Sequence, residues 1–145
     1  MKIVKATQNE MELLIEIWEK SNYAPTTKKK MKEVITRSFK FSDIYIVYDK
    51  SKPVSYFALT YKDKISYLNM IVIVEDSQGK GLGKKLMKEI FNLAKKNKSK
   101  FMQLAVFSKN FPAVVLYSKQ GFYFVKFKKQ IDKKLGRKVI MEKKL

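Results

Sequence analysis

The sequence predicts an α/β fold: an α+β mixed sheet, flanked by helices, in the order β-α-α-β-β-β-α-β-α-β-β. Three observations carry that prediction. Short blocks of β-branched and aromatic residues recur along the chain, bounded by turn residues. Between them lie longer segments with apolar residues at helical spacing. From Ile65 to Phe107 a strand, an amphipathic helix and a second strand follow one another, the pattern of a right-handed parallel crossover.

MKIVKA opens the chain as a short strand with Ile3 and Val4 apolar, and Thr7 to Asn9 supply cap residues. Glu10 to Lys20 places Met11, Leu14, Ile15 and Trp18 on one helical face, with Trp18 expected in the core. Glu10, Glu12 and Glu16 lie early in that helix, where the macrodipole favours negative charge. Ser21 to Thr27 breaks the helix at Pro25. A second helix from Lys28 to Phe39 carries Met31, Val34, Ile35 and Phe39 on one side, its Lys28–Lys30 run facing solvent. Asp43–Asp49, Val54–Tyr61 and Ile65–Val74 read as three consecutive strands of an antiparallel meander. The last five residues of the third, Met70 to Val74, are all apolar, which predicts a strand covered on both faces.

After Gly83 a helix follows, with Leu86, Met87, Ile90, Leu93 and Ala94 on one face and lysines opposite. Phe101–Phe107 is a strand. Asn110 or a neighbour caps the next short helix, Pro112 falls in its first turn, and Gly121 ends it. Phe122–Lys129 and Arg137–Leu145 are the last two strands, joined by a loop, QIDKKLG. No internal repeat or linker interrupts the pattern, and 145 residues suit one domain spanning 1–145.

Composition narrows the chemistry. Apolar residues make up 46% of the chain, enough for a core. Cysteine and histidine are both absent, which excludes disulfides, thiolate metal sites, histidine-ligated zinc hydrolases and Ser-His or Cys-His triads. No metal site is expected. No apolar run approaches a membrane span. The opening residues show no secretory apolar region, so a cytoplasmic protein without membrane partners is expected. The formal net charge is +19, with 32 basic residues against 13 acidic, but only Arg37 and Arg137 are arginine. Lysine attracts polyanions without the planar fork that reads guanine edges, so any nucleic-acid binding is expected to be non-specific.

Three of the chain's five glycines, Gly79, Gly81 and Gly83, crowd into the mouth of the helix that follows Val74. A dinucleotide fingerprint would need a third glycine where Lys84 stands, and a Walker loop would need glycine at Gln78 and a hydroxyl at Lys85. Both fail. The physics behind those motifs remains: the first N–H groups of a helix lack intrahelical partners, and small residues let an anion approach them. Lys80, Lys84 and Lys85 add positive charge. The alternative is a turn that is merely rich in glycine.

Gln78-Gly79-Lys80-Gly81-Leu82-Gly83 resembles the Q/R-x-x-G-x-G/A signature of the GNAT superfamily of N-acetyltransferases. Leu104 to Phe122 is similar to the family's second pattern, with Asn110, Ala113, Leu116, Tyr117, Gly121 and Phe122 at its positions. The resemblance in element order spans nearly the whole chain. It implies a fold of this family and an acetyl-CoA-dependent transfer of an acetyl group to a primary amine. The acceptor would be a small molecule or peptide whose amine attacks the thioester directly, with CoA as product.

The resemblance also implies roles. The backbone of Gly79, Lys80, Gly81, Leu82, Gly83 and Lys84 would bind the pyrophosphate, with Gln78 opening the loop. Ile71, Val72 and Ile73 would offer main-chain groups to the pantetheine arm and the acetyl carbonyl. Asn110 would hydrogen-bond the arm, helix capping being its other use. Tyr117 would be the general acid, because a phenol of pKa about 10 can protonate a departing thiolate of pKa about 8.5; its plainer reading is a core tyrosine. Members that acetylate ribosomal protein N-termini carry a glutamate five residues before the Asn, and here that position is Ala105. Tyr67 and Asn69 could order a water that takes the amine's proton. Family pocket segments correspond to Ser21–Thr27, Ile65–Asn69 and Gln130–Arg137. They supply Tyr23, Tyr67, Lys133, Lys134 and Arg137, which would suit an amine that also bears a carboxylate or phosphate. The competing reading is a non-catalytic CoA-binding or basic nucleic-acid-associated module. A monomer or homodimer is expected.

Overall fold

In the computed structural model, every residue except Tyr23, Pro25 and Thr26 is described. The elements are β1 (Lys2–Lys5), a 3₁₀ turn (Gln8–Glu10), α1 (Met11–Glu19), α2 (Lys28–Phe41), β2 (Asp43–Asp49), β3 (Lys52–Lys62) and β4 (Ile65–Ile73). A second 3₁₀ turn (Glu75–Ser77) leads to α3 (Leu82–Lys96), β5 (Phe101–Phe107), α4 (Phe111–Lys119), β6 (Tyr123–Asp132) and β7 (Gly136–Lys144). The seven strands form a mixed sheet in the order β1-β2-β3-β4-β5-β7-β6, flanked by helices. No helix among the described residues is long and apolar enough to cross a membrane.

The chain divides into two compact units, and β4 and α3 each contribute to both. The first comprises Met1–Thr60 and Asn69–Ile90. Thr7 begins it with a capping box, its hydroxyl accepting from the Asn9 N–H while the Glu10 carboxylate accepts from the Thr7 N–H at 2.9 Å. Trp18 is 6% exposed and sits with Leu14 and Ile17 on the buried face of α1, as its spacing predicts. Met31 and Ile35 do the same for α2, which runs two residues past the expected end. β1, β2 and β3 pair antiparallel, with Tyr45 stacked on Phe57 across the sheet at 5.0 Å. Leu86, Met87 and Ile90 are wholly buried on α3. Each such side chain contributes about 1.5–3 kcal/mol by leaving water.

One expectation about β4 is corrected here. Val72 and Val74 are buried, but Ile71 and Ile73, on the alternate face, are only half-buried. The apolar run is therefore covered by protein on one side, not both. Continuous hydrophobicity cannot distinguish a face covered by protein from one left partly open.

The second unit comprises Tyr61–Leu68 and Phe91–Leu145. Here the first half of β4 runs parallel to β5, pairing Ile65–Leu68 with Phe101–Leu104, as the crossover predicts. β5 continues beyond Leu104 and pairs with β7 as far as Phe107 and Lys138. β6 is the edge strand, and all its residues from Tyr123 to Ile131 are exposed, Phe124 and Phe127 included. Two register shifts against β7 and the lysines at 126, 128 and 129 blunt this edge against further strand addition.

The hairpin loop is shorter than the sequence suggests. β6 runs to Asp132 and β7 starts at Gly136. The Asp132 carboxylate accepts from the N–H groups of Lys134 and Leu135, both at 2.8 Å, which closes a tight turn.

Candidate active site

In the first unit β4 ends at Ile73, and the chain passes through the Glu75–Ser77 turn into the glycine loop. Gly79 and Gly81 adopt φ of 72° and 81°, the left-handed region that side chains disfavour. Open space lies around both: a Cβ built at either would meet no atom within 4 Å. Gly83 lies within α3, where a Cβ would approach Ile73 at 3.8 Å.

The first backbone hydrogen bond of α3 runs from the Lys85 N–H to the Gly81 carbonyl, at 3.3 Å. Among the described residues, the N–H groups of residues 79–84 donate to no backbone carbonyl outside the helix. Unengaged donors, a helix N-terminus and exposed glycine backbone make a cradle suited to a diphosphate. Lys80, Leu82 and Lys85 line a surface depression of about 250 Å³ with Met1, Asp49 and Ser77.

Gln78 has a definite task in this geometry. Its side-chain amide donates to the Ile73 carbonyl at 2.8 Å and to the Ser21 carbonyl at 3.1 Å. It thus ties the loop to the end of β4 and to the end of the first helix. Ser55 braces the same strand by donating to the Val72 carbonyl at 2.6 Å. Asn69 is exposed, and its amide donates to Thr60 at 2.6 Å and to Ser42 at 2.9 Å. Its amide donor is thus engaged by β3 and by the residue that ends α2. Tyr23 lies outside the described residues.

In the second unit Asn110 occupies the N-cap position of α4, yet its side chain makes no cap hydrogen bond. The capping role is therefore not what holds its amide. Pro112 sits in the first turn, and the end of α4 is a Schellman motif, with Gly121 N–H donating to Ser118 and Phe122 N–H to Tyr117. That motif needs the left-handed φ of 95° that Gly121 adopts. It also turns Phe122 back against α4, where its ring meets Tyr117 edge-on at 5.7 Å and Phe91 at 6.0 Å. Burial pushes the Tyr117 phenol above its ordinary pKa, which keeps it protonated.

Tyr67, half-buried on β4, pairs with Gln103 of β5. Gln103 pairs with Glu142 of β7, and Glu142 with Tyr123 of β6. Partners across a ladder share a face, so these four polar side chains form one row across four strands. Sequence reasoning did not assemble this row. Glu142 falls near the end of the last strand, and only the pairing register brings it beside Gln103.

Comparison with known proteins identifies the family. The Acetyltransferase (GNAT) family pattern matches residues 11–122, and the chain belongs to that family. Among its curated relatives, the uncharacterized N-acetyltransferase YobR of Bacillus subtilis is 30% identical over 100 residues, 69% of this chain and 40% of YobR. The Bacillus subtilis spermine/spermidine N(1)-acetyltransferase is 42% identical over 59 residues, 40% of this chain and 39% of that protein. The matches thus span less than half the length of these relatives. Among solved structures, the ribosomal-protein-S18-alanine N-acetyltransferase of Escherichia coli superposes with a TM-score of 0.82 at 16% identity, covering 99% of this chain and 92% of that one. A GNAT family acetyltransferase from Elizabethkingia anophelis with acetyl-CoA bound superposes at 0.78 with 18% identity, covering 99% and 97%. At these identities the likeness is one of fold.

Proposed function

We propose that this protein is an acetyl-CoA-dependent N-acetyltransferase acting on a primary amine of a small molecule or peptide. The observation that carries the reading is the glycine loop: left-handed glycines in open space, unengaged N–H groups, and lysines at the mouth of α3. Bound there, acetyl-CoA supplies a thioester that the acceptor nitrogen attacks directly. Residues 79–84 hold the pyrophosphate through their backbone, Gln78 keeps the loop against the end of β4, and Ile71–Ile73 present main-chain groups to the pantetheine arm. The half-buried Ile71 and Ile73 suit an apolar arm. The Asn110 side chain, not engaged in capping, hydrogen-bonds the same arm.

Tyr117 delivers a proton to the leaving thiolate. The phenol is in its proton-bearing form across the neutral range, the form a general acid needs, and burial keeps it there. The test is thiol release from acetyl-CoA, screened across amines, amino acids, polyamines and peptides. Amine-dependent release supports the reading; no release above the hydrolysis background with any acceptor contradicts it.

The +19 charge favours a second reading, a basic module that associates with polyanions. Micromolar acetyl-CoA binding together with weak, steeply salt-dependent binding to random duplex DNA distinguishes the enzyme from that module.

A further inference from the structure

We propose that Glu142 is the acceptor-recognition residue, and that it binds a positive charge on the acceptor other than the nitrogen that reacts. The acceptor class is then a diamine or a longer cationic amine. This inference rests on the acetyl-transfer reading above and adds the substrate class to it.

The second unit holds three acidic side chains, Asp63, Asp132 and Glu142. Asp63 lies in the turn between β3 and β4, and Asp132 is engaged by the hairpin turn. Glu142 differs from both. One carboxylate oxygen accepts from the Gln103 amide at 2.9 Å and the other from the Tyr123 hydroxyl at 2.9 Å. Both partners are neutral donors, so they orient the carboxylate without cancelling its charge. The ion pairs among the described residues are Lys5–Asp43, Lys20–Glu16 and Lys28–Glu19, and none includes Glu142. In a chain with 32 basic residues, a half-buried carboxylate held by an amide and a phenol alone is a feature to explain. A carboxylate offers about four acceptor positions, and two are taken. The remainder can receive an ammonium, and the rings of Tyr67 and Tyr123 in the same row suit the methylenes attached to it.

The location supports a second charge rather than the reacting one. On the acetyl-transfer reading, the family resemblance puts Ala105, where ribosomal-protein acetyltransferases carry a glutamate, beside the acceptor's reactive nitrogen. Ala105 is exposed although β5 is an interior strand of the sheet. It pairs with Ile140, while Gln103 pairs with Glu142. Ala105 and Glu142 are therefore diagonal neighbours on one face, about 7–8 Å apart at their backbones. A short alkyl spacer covers that separation. This conclusion runs against the loop composition, whose lysines and arginine suggest an anionic group on the acceptor.

The test uses the full chain with acetyl-CoA and two acceptors of matched length, 1,4-diaminobutane and butylamine, in the wild type and in Glu142→Gln and Glu142→Asp. Calorimetric binding of 1,4-diaminobutane is measured alongside turnover. The wild type should prefer the diamine in kcat/KM. Glu142→Gln keeps the hydrogen-bonding shape and removes the charge, and should raise the diamine KM about tenfold or more. Its KM for acetyl-CoA and its butylamine kinetics should hold. Glu142→Asp should retain part of the diamine preference. Equal use of both amines by the wild type, or an unchanged diamine KM in Glu142→Gln, overturns the inference while leaving acetyl transfer intact. Glu142-dependent diamine binding without turnover supports the recognition role and removes the acetyl-transfer reading. Absence of both binding and turnover removes both.

Discussion

Tyr117 combines a phenol whose burial raises its pKa with a ring clamped edge-on against Phe122. Replacing it with Phe leaves the packing and removes the proton. Tyr117→Phe should lower kcat about a hundredfold or more while the acetyl-CoA KM changes little, and steady-state kinetics check this. An unchanged kcat would end the general-acid role. The sign of the shift also predicts the pH profile. A raised phenol pKa means the acid form persists past the ordinary value near 10, so kcat should fall only as pH rises through the higher folded value. Gly121 makes a different demand. A side chain there would be strained at φ 95° and would approach the Lys143 amine at 2.7 Å. The lysine's end can move, but the backbone strain cannot be relieved. Gly121→Ala should cost about 1–2 kcal/mol, a Tm loss of a few degrees in a thermal melt. Both residues are readable as positions in a motif. Two things are not: that Asn110 leaves its helix uncapped, and that Gln78 reaches to Ser21 and Ile73. Both depend on where side chains turn after folding.

Among the elements, the turn that opens α1 carries its own pH test. The Glu10 carboxylate accepts from the Thr7 hydroxyl and N–H, and these bonds hold its pKa below the usual 4.5. A lowered folded pKa means that the contribution is present above the unfolded value and lost as pH falls through the folded one. Glu10→Gln should therefore melt below the wild type at pH 7, and the gap should close in acid. Element types are largely written in local periodicity: Leu14, Trp18, Met31, Ile35, Leu86, Met87 and Ile90 are buried as their spacing predicts. But α1 also buries Ile17 and leaves Met11 and Ile15 half-buried, a face turned slightly from the expected one. The ends are less legible. Asp132 closes its turn with a side chain, so β6 and β7 extend into what composition suggests is loop. The open face of β4 is invisible for another reason. Ile71 and Ile73 are as apolar as buried residues, and sequence does not say that the surface they contact is left partly free.

For the whole molecule, pairing across the sheet decides what the sequence could not. β7 lies between β5 and β6, and this brings Glu142 to Gln103 from residues 39 positions apart. The glycine loop and the Asn110–Phe122 segment are legible because they are local runs; the row from Tyr67 to Tyr123 is assembled from four strands and is not. Net charge acts at this scale too. With a formal charge of +19, random duplex DNA should bind at low salt and lose orders of magnitude in affinity between about 50 and 200 mM. The central claim, that the glycine loop at the mouth of α3 binds acetyl-CoA, is tested most directly by titrating acetyl-CoA into the protein in a calorimeter at about 150 mM salt, where weak polyanion attraction is screened. The account predicts one-to-one binding with a micromolar Kd, and no binding would contradict it.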